Sequence, residues 1–129
     1  MFKKNYLKAI INIIFCKQAI LHILKRKKIL LNQKQKMLKG KIYYADLDIL
    51  LYCEKQNCKK MCHKYNNTSP EIITQRNNII TKLLGKTGKS FLIEQPFMCD
   101  YGYNIEIGDC FCSNHNLTIL DPAKVIFGN

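Results

Sequence analysis

The side chains best suited to chemistry cluster between positions 53 and 63, where Cys53, Cys58, Cys62 and His63 offer three thiols and an imidazole. Thiolates and imidazoles are zinc ligands, but structural zinc sites usually place cysteines two to four residues apart and then repeat the pair. Here the gaps are five, four and one. On a helix, Cys53 and His63 face away from Cys58 and Cys62. The pattern predicts no metal site in this stretch, and Cys58 and Cys62 read as small core side chains. Seven cysteines in all, an odd number with irregular spacing, suit a reducing compartment better than a disulfide framework. The expected location is therefore cytoplasmic, and Asn116-Leu-Thr118 reads as a chance match to a glycosylation acceptor. Cys16 ends an apolar run as a lipoprotein cysteine would, but Phe15 is too bulky for that processing site.

The elements that must position these residues fit one domain of 129 residues, with 47% apolar and 23% charged side chains. The net charge of +12 is unevenly placed: residues 1–36 carry ten of the 21 Lys and Arg and none of the nine Asp and Glu. The remainder is near neutral, which argues against a nucleic-acid-binding face on the folded part. Residues 1–36 form a basic, apolar leader, too broken by Asn12, Lys17, Gln18 and His22 to span a membrane. Leu7, Ile10, Ile11, Ile14, Leu21 and Leu24 recur near helical spacing. The leader reads either as an unstructured extension or as an amphipathic helix on an anionic membrane surface. Met37 stands where the composition changes and marks the boundary.

Downstream, Leu51, Cys58, Met61, Cys62 and Tyr65 fall on one face of a helix from about Asp48 to Lys64. Thr68-Ser-Pro-Glu71 fits a capping box with Pro70 in the first turn of a second helix. Ile72, Ile73, Ile79, Ile80, Leu83 and Leu84 give that helix its apolar stripe, and Gly85 stops it. After Phe91 the period changes to that of short strands, over Phe91–Phe97 and Asn104–Asp109, with no helix between. The corner Ile107-Gly-Asp109 recurs twenty residues later as Phe127-Gly-Asn129. Such a recurrence suits a hexapeptide-repeat left-handed β-helix of about eighteen residues per coil. On this reading residues 104–129 supply about one and a half coils and leave Val125, Ile126 and Phe127 on an exposed edge.

The order of motifs carries a family resemblance. Met37-Leu-Lys-Gly40, Tyr43, the helix pair, Tyr65-Asn-Asn-Thr68 and Leu83-Leu-Gly85 resemble the small helical domain of the maltose and galactoside O-acetyltransferases. The run Gln95-Pro-Phe-Met-Cys-Asp-Tyr-Gly-Tyr-Asn-Ile-Glu-Ile-Gly-Asp109, with Ser113-Asn-His-Asn116 and Ile119-Leu-Asp121, resembles the start of their β-helix. The resemblance implies an α+β chain with the leader at 1–36, a helical domain at 37–92 and the beginning of a β-helix at 93–129. It also implies an acetyl-CoA-dependent transfer of acetyl to a sugar hydroxyl, by a homotrimer with active sites between neighbouring β-helices and without a metal. By motif position Asp100 lines the acceptor pocket and Asn114 holds the sugar or the reacting oxygen. Asp46 or Asp48 supplies the helical domain's acidic contact, with Asp46 taken as the candidate.

In the family the general-base histidine sits in a later His-Pro turn, and later coils build the acetyl-CoA groove. Both lie beyond Asn129, so the resemblance implies a truncated chain, inactive alone, with no catalytic residue of its own. The alternative is a non-catalytic module or relic that pairs with a full-length relative. His115 occupies a position that resembles an aromatic packing position of the family and reads as packing or exposed; His22 and His63 are no better placed. Because the leader holds most of the charge, deleting residues 1–36 is expected to abolish binding to anionic vesicles or nucleic acid, and salt is expected to weaken binding by the intact chain. Vesicle co-sedimentation of both forms at low and high salt checks this.

Overall fold

The computed structural model describes residues 33–128, so the leader helix expected around Leu7–Leu24 lies outside the described residues. Two helices form a hairpin over a stack of two parallel β-coils. Helix α1, Ile49–Asn66, begins at Asp48, whose Oδ1 accepts from the backbone N–H of Leu50 (3.0 Å) and Leu51 (3.3 Å). That side chain satisfies two of the four donors a helix start leaves unpaired. Leu51, Cys58, Cys62 and Tyr65 are buried along its inner face, as their spacing predicts.

Helix α2, Ile73–Leu83, departs from expectation at its start. The capping box does not form: the Thr68 hydroxyl donates backwards to the Lys64 carbonyl (2.8 Å), closing α1 instead. Pro70 and Glu71 lie in the turn before α2 rather than in its first turn. Ile72 and Ile73, expected in the stripe, are exposed, whereas Ile79, Ile80, Leu83 and Leu84 are buried. Arg76 takes the inward position one turn before them. The reason is the surface beneath, which at that point presents backbone carbonyls rather than apolar side chains.

Six three-residue strands follow: β1 Phe91–Ile93, β2 Phe97–Cys99, β3 Ile105–Ile107, β4 Phe111–Ser113, β5 Leu117–Ile119 and β6 Val125–Phe127. Each strand of the first coil pairs in parallel with its equivalent in the second: β1 with β4, β2 with β5, β3 with β6. The register is constant, Phe91 to Phe111, Phe97 to Leu117 and Ile105 to Val125, so a coil is twenty residues rather than about eighteen. The longer count comes from the corner between the second and third strands, residues 100–104 and 120–124, longer than the others. The described chain therefore holds two coils starting at Phe91, not one and a half starting at Asn104. A further parallel bridge, Lys86 to Glu106, and Gly88 stacked against Gly108 extend the register upstream. Ends of each strand point inward and middles outward. Ile93, Phe97, Cys99, Ile105 and Ile107 thus join the buried faces of both helices in one core. Val125 and Phe127 are half-buried against it, with Phe127 5.2 Å from the Phe111 ring, and Ile126 alone of that strand is exposed.

Asp121 locks the long corner. Fully buried, it accepts from the backbone N–H of Asp100 (2.9 Å) and Tyr101 (2.9 Å) at Oδ1 and of Gly102 (2.7 Å) at Oδ2. Burial raises its pKa, and the bonds from the same N–H groups oppose this only in part. Gly102 sits at φ +81°, and a Cβ there would stand 2.5 Å from the Leu83 carbonyl oxygen. Only glycine lets the corner pass so close beneath α2. Replacing Asp121 with Ala orphans three buried donors at about 1–3 kcal/mol each. Chemical denaturation is expected to register a loss of about 3 kcal/mol or more for that variant and within about 0.5 kcal/mol for the exposed Asp46→Ala.

Candidate functional site

The locked corner carries Asp100, Tyr101 and Tyr103 up against α1. Asp100 pairs with Lys55 on α1, Oδ1 to Nζ 2.8 Å. The carboxylate holds the Lys55 ammonium above the usual lysine range; partial burial opposes this, and Tyr43 and Asp46 reinforce it. Asp46 lies in a 3₁₀ turn, Ala45–Leu47, and is exposed. Asp48, the other acidic candidate, is fully buried as the α1 cap and is not available to a ligand. Of the expected residues, Asp100 thus meets a lysine that the sequence reading did not name, and Asp46 adds only to the field at that lysine.

Asn114 is not with them. It lies at a different corner, after β4, where its Oδ1 accepts from the His115 backbone N–H (2.8 Å). His115 is exposed, its Nδ1 2.5 Å from the Gln95 carbonyl oxygen one coil below. A ring nitrogen held on a backbone carbonyl is the protonated one, which leaves Nε2 as the acceptor. The exposed His115 matches the packing-or-exposed reading in its exposure, and His63 is exposed on α1 against Asn67.

Beside the Lys55–Asp100 pair, a cleft of about 520 Å³ opens between α1, α2 and the corner. Its walls include Lys34, Glu54, Lys82, Tyr101 and Tyr103, and Cys58 stands at its base. Glu54 accepts from Lys34 (2.6 Å) and from the Tyr103 hydroxyl (2.9 Å). Burial, and for Tyr103 also the Glu54 bond, raises both tyrosines, so both phenols stay protonated donors. Residues 33–38 form a helical turn that closes this side: Met37 packs with Leu51 and Tyr101, and the Gln33 side chain accepts from the Tyr44 N–H (3.0 Å). The folded part thus reaches upstream of Met37, and a cut that probes the leader alone belongs after residue 32.

The hairpin is clamped to the coils by polar groups at its other end. Arg76 donates to the Ile93 carbonyl (2.8 Å) and the Pro70 carbonyl (3.0 Å), with Glu94 3.5 Å away. The Tyr65 hydroxyl donates to the Ile93 carbonyl, and Asn66 exchanges two bonds with the Phe97 backbone, 2.8 and 3.0 Å. Gln95, preceding the cis Pro96, donates back to the Tyr65 and Thr68 carbonyls. Arg76 was missed because a lone arginine in an apolar stripe carries no motif.

Residues 36–88 match the maltose acetyltransferase hexapeptide capping motif. A Saccharomyces cerevisiae protein to which acetyltransferase activity is ascribed is 46% identical over 87 residues, 67% of this chain and 44% of its own length. The crystal structure of a maltose O-acetyltransferase from Clostridium difficile superposes with a TM-score of 0.73 at 42% identity, covering 75% of this chain and 51% of that one. A galactoside acetyltransferase in complex with coenzyme A superposes at 0.70 with 28% identity, covering 74% and 48%. The chain therefore spans about half the length of the relatives it matches. Among the described residues no helix is long and apolar enough to cross a membrane.

The two ion pairs should respond differently to mutation. Arg76→Ala leaves the Ile93 and Pro70 carbonyls without their guanidinium donor and is expected to cost about 1–3 kcal/mol for each. Lys55→Ala, at a half-exposed pair, is expected to cost less than about 1 kcal/mol. Urea midpoints of the two variants against the parent test the contrast.

Proposed function

The chain carries the N-terminal part of the maltose and galactoside O-acetyltransferase family, and from that premise we propose that it forms the acceptor side of an acetyl-CoA-dependent sugar O-acetyltransferase. The observation that carries this reading is the Lys55–Asp100 pair where the helical cap meets the first coil, with Asp46 adding to the field at Lys55. A carboxylate and an ammonium at a half-exposed seam offer an acceptor and donors to sugar hydroxyls. Asp100 lines the acceptor pocket, Asp46 adds the helical domain's acidic contact, and Asn114 holds the sugar or the reacting oxygen from a second corner. Two sites on different corners of successive coils complete a single pocket when a neighbouring copy brings its own corner across. The homotrimer is proposed on that ground. Exposed Ile42 (86%) and Leu120 (70%), with Tyr44 and Leu47, support a surface that a copy covers.

The chemistry is direct transfer: a histidine takes the hydroxyl proton, the oxygen attacks the thioester carbonyl, and a nearby donor steadies the oxyanion. On this reading that base is neither His63 nor His115, and no metal is needed for the step. The protein acts in the cytoplasm, where acetyl-CoA is available.

The 129-residue chain by itself is expected to show no acetyl-CoA-dependent acetylation of maltose, glucose or galactosides above background, since a general base alone contributes about 10²–10⁴-fold. Fused to the later coils of a relative, it is expected to gain activity. Asn114→Ala should then abolish turnover, and Asp100→Asn should raise KM more than it lowers kcat. Turnover by the unfused chain, lost in His115→Ala, would overturn the assignment of roles.

A further inference from the structure

We infer that Cys58, Cys62 and Cys99 form a three-coordinate thiolate site for a soft monovalent d¹⁰ cation, Cu(I), at the seam between α1 and β2. The three sulfurs lie within 4.8 Å of one another, and all three residues are buried. Cys99 Sγ is 3.4 Å from Cys58 Sγ and 3.8 Å from Cys62 Sγ. A cation bound to three coplanar sulfurs at about 2.3 Å spaces them about 4 Å apart, so the triangle needs little adjustment to close on an ion.

Shape does not require a thiol at Cys99. Its coil-mate in register is Ile119, an aliphatic side chain at the same inward position. The two helix cysteines are one turn apart and meet it from the facing element. No fourth His, Cys, Asp or Glu joins the group among the described residues. Three sulfur donors suit Cu(I), whereas zinc in structural sites takes four ligands.

The site also has an entry path. Cys58 lines the cleft, whose walls also carry Lys82 and the Lys34–Glu54 pair. Binding forms three Cu–S bonds and releases the thiol protons to solvent; copper enters and stays as Cu(I), so no electron is transferred.

The test uses the whole chain, reduced and kept anaerobic, titrated with Cu(I) against a chromophoric chelator of known affinity. One Cu(I) per chain is expected, with three sulfur scatterers at about 2.3 Å in X-ray absorption. Cys58→Ser, Cys62→Ser and Cys99→Ser should each weaken binding at least about 10-fold, the lower end of what even outer-shell changes cost. Cys53→Ser, Cys110→Ser and Cys112→Ser, at exposed positions, should leave it unchanged. A readout on the unsubstituted chain is independent of variant folding: Cu(I) should protect Cys58, Cys62 and Cys99 from alkylation while the exposed cysteines react. Alkylation of the three core thiols at equal rates with and without Cu(I) overturns the proposal. So does tighter binding of Zn²⁺ with a light-atom fourth ligand, or copper binding that survives all three core substitutions.

Discussion

A single buried carboxylate, Asp121, holds the second coil to the first and sets the shape of everything above it. Burying an ionisable group costs free energy unless its lone pairs are used. Here three successive backbone N–H groups, Asp100 to Gly102, point at it, and the Asn104 side chain donates to its carbonyl (2.7 Å). The corner has no other way to satisfy those donors, because it turns inward between a helix and a strand. Its path fixes where Asp100 meets Lys55 and where Tyr101 and Tyr103 wall the cleft. The longer, twenty-residue coil follows from this corner, since each of its copies holds more residues than the other turns.

The helical hairpin shares its core with the β-coils rather than enclosing one of its own. Cys58, Cys62, Tyr65, Ile79, Ile80 and Leu83 pack on Ile93, Phe97, Cys99, Ile105 and Ile107. Neither layer would keep this surface from water alone. Orientation comes from polar contacts at one edge: Arg76 and Tyr65 donate to the Ile93 carbonyl, Asn66 pairs with the Phe97 backbone, and Gln95 donates back to the Tyr65 and Thr68 carbonyls. Apolar contact supplies the greater part of the attraction, being roughly proportional to area and without direction. The hydrogen bonds choose among the orientations it permits.

This division also separates the two chemical regions of the molecule. The acidic residues around Lys55 are half-exposed and open to a polar ligand. The thiols lie a short way beneath, in the apolar seam, where only a soft ion is suited to enter. Cys58 borders the same cleft, so occupancy of the seam bears directly on the packing of α1 against the corner.

Much of this was legible in the residues. The spacing of Leu51, Cys58, Cys62 and Tyr65 specified the buried face of α1, because a 3.6-residue period leaves no other face apolar. The recurrence of the Ile107-Gly-Asp corner pointed to the coiled repeat, though its length was read as about eighteen residues rather than the observed twenty, and the motif order specified the family. Local pattern failed where a side chain had two partners to choose from. Thr68 had the sequence of a helix start and closed the preceding helix instead. Ile72 and Ile73 continued a stripe that the surface below did not. Asp48 and Asp46 were equivalent on paper, and only the helix start made one a cap. Cys99 joined Cys58 and Cys62, and Arg76 reached Ile93, across 37 to 41 and 17 residues of sequence respectively. The sequence by itself determined the helical period of α1 and the family. Tertiary structure alone decided which distant groups meet, because such pairs depend on how two layers dock, and docking is set by the sum of many weak contacts that no local window contains.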